Sequence, residues 1–270
     1  MKYAMLQFSL LSAALLSFNA HAAGKLDQRM ADATEVIHEF TQIPESAIPD
    51  SLLANAHGVA VFPGVIKIGL GIGARFGKGV LIVRQEDGSW SNPGFVSLGG
   101  GSFGWQIGAQ STDLVLVFKD RRSINNIFNG KITLGGDVAA AAGPVGRQAS
   151  AATDGRLNAA IYSYARNRGL FAGISLEGAW LRMDRSSNQS YYDNSLTPEE
   201  LLAAEDLAAP LTAEQFIDIM TTTAPGTERP STYRTAAATD SKPTERLNQD
   251  AGVRTYAIEP LESDYDETTF

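Results

Sequence analysis

The chain has 270 residues, a formal net charge of −8 and no cysteine. That length allows one large domain or two small ones, and the missing cysteine excludes both a disulfide framework and a lipid-modified N-terminal cysteine. An acidic balance does not suit a nucleic-acid-binding protein, which would concentrate positive charge to displace counterions from phosphates.

The first 23 residues are typical of an export signal. Lys2 gives a positive start, an apolar run follows over residues 5–18, and Ala20-His21-Ala22 fits the small-x-small cleavage pattern, with the cut directly after it or one residue later. The run is about 14 residues long, shorter than the roughly 20 that span a bilayer. We therefore expect a cleaved signal peptide over residues 1–23 and a mature protein that is periplasmic or secreted.

Two helices are predicted next. From Asp27 to Phe40 the apolar positions recur at three- and four-residue steps, which is typical of an amphipathic helix. Pro44 ends this helix. A second, short helix starts near Pro49, because proline suits a first helical turn, and it stops at Gly58.

Closely spaced glycines mark the following region. Gly69, Gly71 and Gly73 alternate with apolar residues, and period-two alternation predicts strand because helices do not tolerate glycine at every second position. A Pro63-Gly64 turn, a hairpin at residues 86–89 and a second glycine cluster are expected to separate several strands. The predicted strand segments are 59–62, 69–79, 80–83, 95–98, 105–109 and 114–118, of which the last is expected to be central.

Shorter elements follow. A helix is predicted from Ser123, as its cap, to Phe128, and a strand over 131–134. Residues 158–168 fit a strand or a helix, with aromatic residues favouring strand, and residues 169–181 fit a glycine-bearing strand or hairpin. Alternate glycines leave one strand face bare and let a sheet coil sharply. The expected fold class is α+β: a glycine-rich, curled, barrel-like antiparallel β-sheet with N-terminal helices.

The C-terminal part differs in charge. Residues 25–192 carry 16 Lys and Arg against 14 Asp and Glu, whereas residues 193–270 carry 5 against 16. Thr197-Pro198-Glu199-Glu200 opens a helix. We expect a short helical extension over 193–222 and a disordered acidic tail over 223–270, because proline, threonine, alanine and acidic residues dominate there.

Two glycine patterns match enzyme motifs by letter only. The dinucleotide fingerprint at residues 99–104 is followed by strand-like residues instead of a helix. The hydrolase pattern at residues 100–104 needs a histidine C-terminal to its serine, but His21, His38 and His57 all precede it. No metal ligand set is visible. We therefore predict no catalytic residue, no metal site and no cofactor, and we do not expect an enzyme.

Basic residues are the better candidates for a site. If several converge on one rim, they would hold lipid phosphates, each contributing about 1 kcal/mol near an anionic surface. Phe76 would then reach the acyl boundary. Solvated strand ends are the alternative for each basic cluster. The candidate lipid-binding residues are Lys67, Arg75, Phe76, Lys78, Arg121 and Arg122.

Several ordered blocks resemble one known family. Residues 48–63, IPDSLLANAHGVAVFP, resemble the opening of the SYLF domain. The glycine series at 69–79, the WSNPGF segment at 90–95 and the glycines at 99–108 are similar to its middle, and residues 114–118 and 162–178 to its later blocks. The resemblance covers roughly residues 25–192, which we take as the SYLF-like domain.

The resemblance implies a lipid-binding module that favours anionic lipids. Some eukaryotic members also bind actin, which we do not carry over because an exported bacterial protein would not meet it. The N-terminal helix here has only Lys25 and Arg29 against four acids, whereas a membrane-surface helix needs a basic polar face. We thus expect the β domain to contact anionic phospholipid, a membrane surface or another amphiphile. The alternative is an envelope scaffold whose acidic tail recruits a protein partner.

Overall fold

The computed structural model describes residues 24–41, 48–145, 158–167, 170–204 and 207–226, with the backbone alone for 70–72 and 102–108. The signal peptide predicted over 1–23 lies outside the described residues, as does the predicted tail beyond residue 226.

Helices and strands alternate irregularly along the described chain. The helices are α1 (24–41), α2 (Asp50–Ala54), α3 (Arg121–Phe128), α4 (Arg185–Tyr192), α5 (Pro198–Ala203) and α6 (Leu211–Thr223). The strands are β1 (Gly58–Val83), β2 (Gly94–Phe118), β3 (Lys131–Thr133), β4 (Ala140–Ala142), β5 (Ile161–Asn167), β6 (Leu170–Gly173) and β7 (Ala179–Met183). The α+β class and the predicted N-terminal helix are confirmed.

The central strand is β2, as predicted for residues 114–118. It pairs antiparallel with β1 along most of its length, with β7 near its start and with β5 near its end. The β7 strand also pairs with β3, and β5 with β4 and β6. The prediction of a purely antiparallel sheet is wrong at one place: β4 and β5 are parallel. Residues 143–160 separate these two strands, which is long enough for the crossover that a parallel pair needs.

The β1 strand runs without interruption where separate strands were predicted. Pro63-Gly64 causes only an irregularity in the pairing between Phe62 and Val65, because Gly64 adopts a positive φ of 61° and its N–H donates to Asp113. Proline is tolerated here since bulges and edge strands leave a backbone N–H unpaired.

The predicted sharp coiling is confirmed, and β1 itself bends back until its two ends meet. A Cβ atom placed on Gly79 would lie 2.2 Å from the Val61 carbonyl oxygen, and the Arg84 N–H donates to the His57 carbonyl at 2.8 Å. Between these ends, residues 66–76 pair with residues 99–111 of β2. We call this two-stranded ribbon the β-arch.

The side chains of the sheet are buried in two hydrophobic cores, one on each face of the sheet. The inner core joins alternate residues of β1, β2, β5 and β7 to Ile124 and Ile127 of α3. The outer core covers the opposite face with α1, α2 and α6. The helices expected as an extension after residue 193 thus pack back onto the domain: Phe216 is fully buried in the outer core, and the Thr212 hydroxyl donates to Asp27 at 2.8 Å.

Candidate functional site

The period-two alternation of β1 separates the site residues that the sequence grouped together. Lys67 and Arg75 share the side of the strand that faces the inner core, whereas Phe76 and Lys78 lie on the outer side. All four residues lie on the uninterrupted strand β1. Neighbouring residues therefore point in opposite directions.

Arg75 lies in a partly desolvated position. Burial lowers the pKa of its guanidinium below the usual value. Among the described residues its Nε has no hydrogen-bond partner. Arg121 and Arg122 are exposed in the first turn of α3, after the end of β2, and Asp120 instead of the predicted Ser123 caps that helix. The structure thus places the two α3 arginines on a different element from the β1 residues.

A row of polar residues crosses four adjacent strands. Lys78 of β1 lies opposite Ser97 of β2, which lies opposite Arg182 of β7, which in turn lies opposite Lys131 of β3. Residues directly opposite one another project from the same face of a sheet. We call Lys78, Arg182 and Lys131 the basic row.

An aromatic row runs beside the basic row. Phe76 lies opposite Gly99, and Gly99 lies opposite Trp180. A Cβ atom on Gly99 would be 2.4 Å from Cζ2 of Trp180, so the indole lies over the bare backbone of the glycine. The Arg182 guanidinium is 5.2 Å from the centre of the same indole ring. One face of the sheet therefore carries aromatic and cationic side chains in adjacent rows.

A cleft of about 510 Å³ opens where β7 leaves the sheet. The turn between α3 and β3 forms one wall and the start of α4 another. Three cations line it, none of them among the candidate residues predicted from the sequence: Lys131, Arg182 and Arg185. The other lining residues are Ser97, Ile127, Phe128, Gly130, Met183, Asp184 and Ser186.

The Asp184 carboxylate in this cleft is engaged by neighbouring groups. It forms an ion pair with Lys78 and accepts hydrogen bonds from the Ser187 hydroxyl at 2.9 Å and the Ser187 N–H at 3.4 Å, which cap α4. Burial alone would raise the pKa of Asp184, but hydrogen bonds from Lys78 and Ser187 and the Lys78 charge outweigh it and hold the pKa below the usual value. The negative charge of Asp184 is therefore already paired with Lys78 and does not neutralise the three cations.

Two other kinds of feature are absent from the described part of the chain. No group of three or more His, Asp or Glu side chains is placed to hold a metal ion there. None of the helices described is both long and apolar enough to cross a bilayer.

Comparison with known proteins gives consistent matches. Residues 99–223 match the family model described as "Ysc84: Las17-binding protein actin regulator". The chain is 36% identical over 194 residues to the rat "SH3 domain-containing YSC84-like protein 1", covering 70% of this chain and 56% of the relative. It is 32% identical over 179 residues to "Protein YSC84" of Saccharomyces cerevisiae, covering 65% and 38%.

The matched region begins within β2 and extends through all later described elements to the end of α6. It therefore includes the cleft except for Ser97, one limb of the β-arch and the last two described helices. The chain spans about half the length of the rat relative.

Proposed function

Because the chain belongs to the SYLF (Ysc84) family, we propose that it is a non-catalytic binding protein that contacts anionic phospholipid at a membrane surface. The contact is made by the β-arch and the adjoining outer face of the sheet.

Exposed apolar side chains on the β-arch are the observation that carries the proposal. Ile66, Ile68 and Phe76 are 49%, 60% and 50% exposed, although most of the other described side chains of β1 are buried. Ile66 and Ile68 lie two residues apart on the outer side of one limb of the β-arch, so they can meet one apolar surface together. Phe76 lies on the returning limb, next to the aromatic row. Full burial of one such side chain stabilises by about 1.5–3 kcal/mol. Exposed apolar side chains that are adjacent on one side of a strand, such as Ile66 and Ile68, favour a binding surface.

Positive charge beside the β-arch supports the choice of an anionic surface. The basic row lies next to the aromatic row that contains Phe76 and Trp180. Within it Lys78 is paired with Asp184, whereas Lys131 and Arg182 form no ion pair among the described residues. Cations within a Debye length of an anionic bilayer contribute about 1 kcal/mol each, and tryptophan favours the membrane–water interface. The same face therefore offers both kinds of contact.

Actin regulation and Las17 binding appear in the description of the family model, and an SH3 domain in the name of the rat relative. This chain spans about half of that relative, and the proposal does not extend to those partners.

The proposal also places the protein in the periplasm or outside the cell. Its support is the export-signal pattern of residues 1–23. Intact mass spectrometry of the protein from fractionated cells is expected to show loss of the first 22 or 23 residues. A cytoplasmic chain that keeps them would contradict export.

Vesicle flotation tests the membrane contact. Ile68→Asp is expected to reduce recovery with phosphatidylglycerol-containing vesicles by about tenfold, because it replaces apolar burial by a charge that the anionic surface repels. Leu211→Asp is the matched control: Leu211 is 69% exposed but lies in the first turn of α6, where an acidic residue is favourable. We expect it to float like the unchanged protein.

Three results would contradict the proposal: equal recovery with neutral phosphatidylcholine vesicles, unchanged recovery of Ile68→Asp, or an equal loss for Leu211→Asp.

Removal of residues 227–270 tests the alternative in which the protein acts by recruiting a protein partner through its acidic tail. Flotation of the shortened chain is expected to be at least as strong as that of the full chain, because removal of acidic residues weakens repulsion from the membrane.

A further inference from the structure

We infer that the cleft at the end of β7 binds the phosphate of an anionic phospholipid headgroup, held by Lys131, Arg182 and Arg185. This inference rests on the proposed function, since it assigns the headgroup contact for the membrane face that the β-arch presents.

The three cations come together through the fold, not through the sequence. Lys131 begins β3 and lies directly opposite Arg182 on β7, and Arg185 follows three residues later as the first residue of α4. Opposed residues in an antiparallel pair have Cβ atoms roughly 4.5–5.5 Å apart, so both side chains can reach one phosphate group.

The positive charges of the cleft lack matching negative charge. Like charges directly opposite one another destabilise a sheet. Among the described residues, none of the three cations forms an ion pair, and the one carboxylate of the lining, Asp184, is held by Lys78 and Ser187. An anion in the cleft would relieve this repulsion. A phosphate suits it because arginine presents paired N–H donors that match two phosphate oxygens.

Arg182 is also held in place before any ligand arrives. Its guanidinium stacks on Trp180, and the indole is fixed in turn over Gly99. A stacked guanidinium loses less freedom on binding than a mobile side chain does, which favours affinity.

Apolar groups beside the cations select a lipid over a free anion. Phe128 is partly exposed and lines the same cleft, and Trp180 and Phe76 follow in the adjacent row. The cleft volume of about 510 Å³ lies in the range of small-molecule sites. A phosphate bound by the cations would therefore leave its glycerol and acyl groups against apolar side chains.

Calorimetric titration of the mature full-length protein with dihexanoylphosphatidylglycerol, below the concentration at which that lipid forms micelles, tests the inference. Lys131→Gln is expected to weaken binding about fivefold, and Lys131→Gln combined with Arg182→Gln about thirtyfold, at about 1 kcal/mol for each charge removed. Lys25→Gln on α1 is the matched control, because it removes one exposed lysine outside the cleft, and no change is expected. Unchanged thermal unfolding midpoints would show that the variants are folded.

A parallel titration with inorganic phosphate distinguishes a lipid headgroup from a free phosphate ion as the ligand. Inorganic phosphate is expected to compete only weakly, and an inorganic phosphate affinity equal to that of the lipid would overturn the headgroup assignment. Unchanged binding by the double variant, or an equal loss in Lys25→Gln, would also overturn it. Failure of the unchanged protein to float with anionic vesicles would instead refute the proposed function, whereas normal flotation without cleft binding would refute this inference alone.

Discussion

Replacing Arg84 with methionine is expected to lower the free energy of unfolding by about 3 kcal/mol. Arg84 is only 8% exposed and joins three separate parts of the fold. Its guanidinium donates to the carbonyl of Ala56 after α2 at 3.1 Å, of Gly88 in the hairpin at 2.9 Å and of Ala224 after α6 at 2.8 Å. Methionine fills a similar volume but leaves these carbonyl oxygens without the donor.

The position of Arg84 explains the size of this effect. The last carbonyls of a helix have no partner within the helix and carry its negative dipole end, so a buried cation there is favourable. The guanidinium also lies 4.0 Å from the ring centre of Trp90, whose indole N–H donates to the Met220 carbonyl at 3.1 Å. Arg84 and Trp90 together fix the end of α6 to the sheet.

Urea unfolding measures the loss, and Arg182→Met is its control. Arg182 also stacks on a tryptophan but is exposed, so its replacement is expected to cost less than about 1 kcal/mol. Hydrogen exchange should become faster in α6 of the Arg84 variant. Equal stability losses in the two variants, or unchanged exchange in α6, would show that Arg84 does not anchor this helix.

Substitution of Gly79 by alanine is expected to cost about 3 kcal/mol, at the upper end of the range for overpacking. The added Cβ would lie 2.2 Å from the Val61 carbonyl oxygen and 2.6 Å from Cδ1 of Phe62. The carbonyl belongs to the backbone of β1, so relief requires the two ends of the coiled strand to separate. Phe62 is itself buried in the inner core.

Gly101→Ala provides the control for this steric effect. Gly101 also lies in a long paired strand, and a Cβ there would meet nothing within 4 Å. Neither glycine has a positive φ, so the two variants do not differ in backbone strain. They differ only in the room that the added methyl group finds. Urea unfolding is expected to leave Gly101→Ala within about 0.5 kcal/mol of the unchanged protein. A similar cost for both variants would mean that loss of glycine, not closure of the coil, is responsible.

Local sequence patterns predicted the type of the helices and strands better than the residues at which they begin and end. Alternating glycines predicted strand, and the hairpin at residues 86–89 was confirmed, with Gly88 at a φ of 92°. The continuous strand through Pro63 was missed. A proline within an edge strand cannot be distinguished from sequence alone from a proline that ends a strand. The parallel β4–β5 pair was missed since three consecutive alanines carry no pattern.

The candidate site was harder to predict because pairing register assembles it. Lys131 and Arg182 are distant in sequence and meet only through β3 and β7, which local patterns cannot reveal. One local signal was available: Trp180 and Arg182 at alternate positions of a strand share a face, which indicates an aromatic and cationic surface. Adjacent Arg75 and Phe76 had to point to opposite sides once β1 proved continuous.

The hydrogen bond between Thr212 and Asp27 spans 185 residues and joins the first described helix to the last. While the ribosome is still making the chain, α1 is complete but the helix that shares its core has not been synthesised. The outer core can close only after residues 211–223 have been synthesised, so most of the chain must exist before this core forms. Until then the apolar side of α1 has no α6 to pack against.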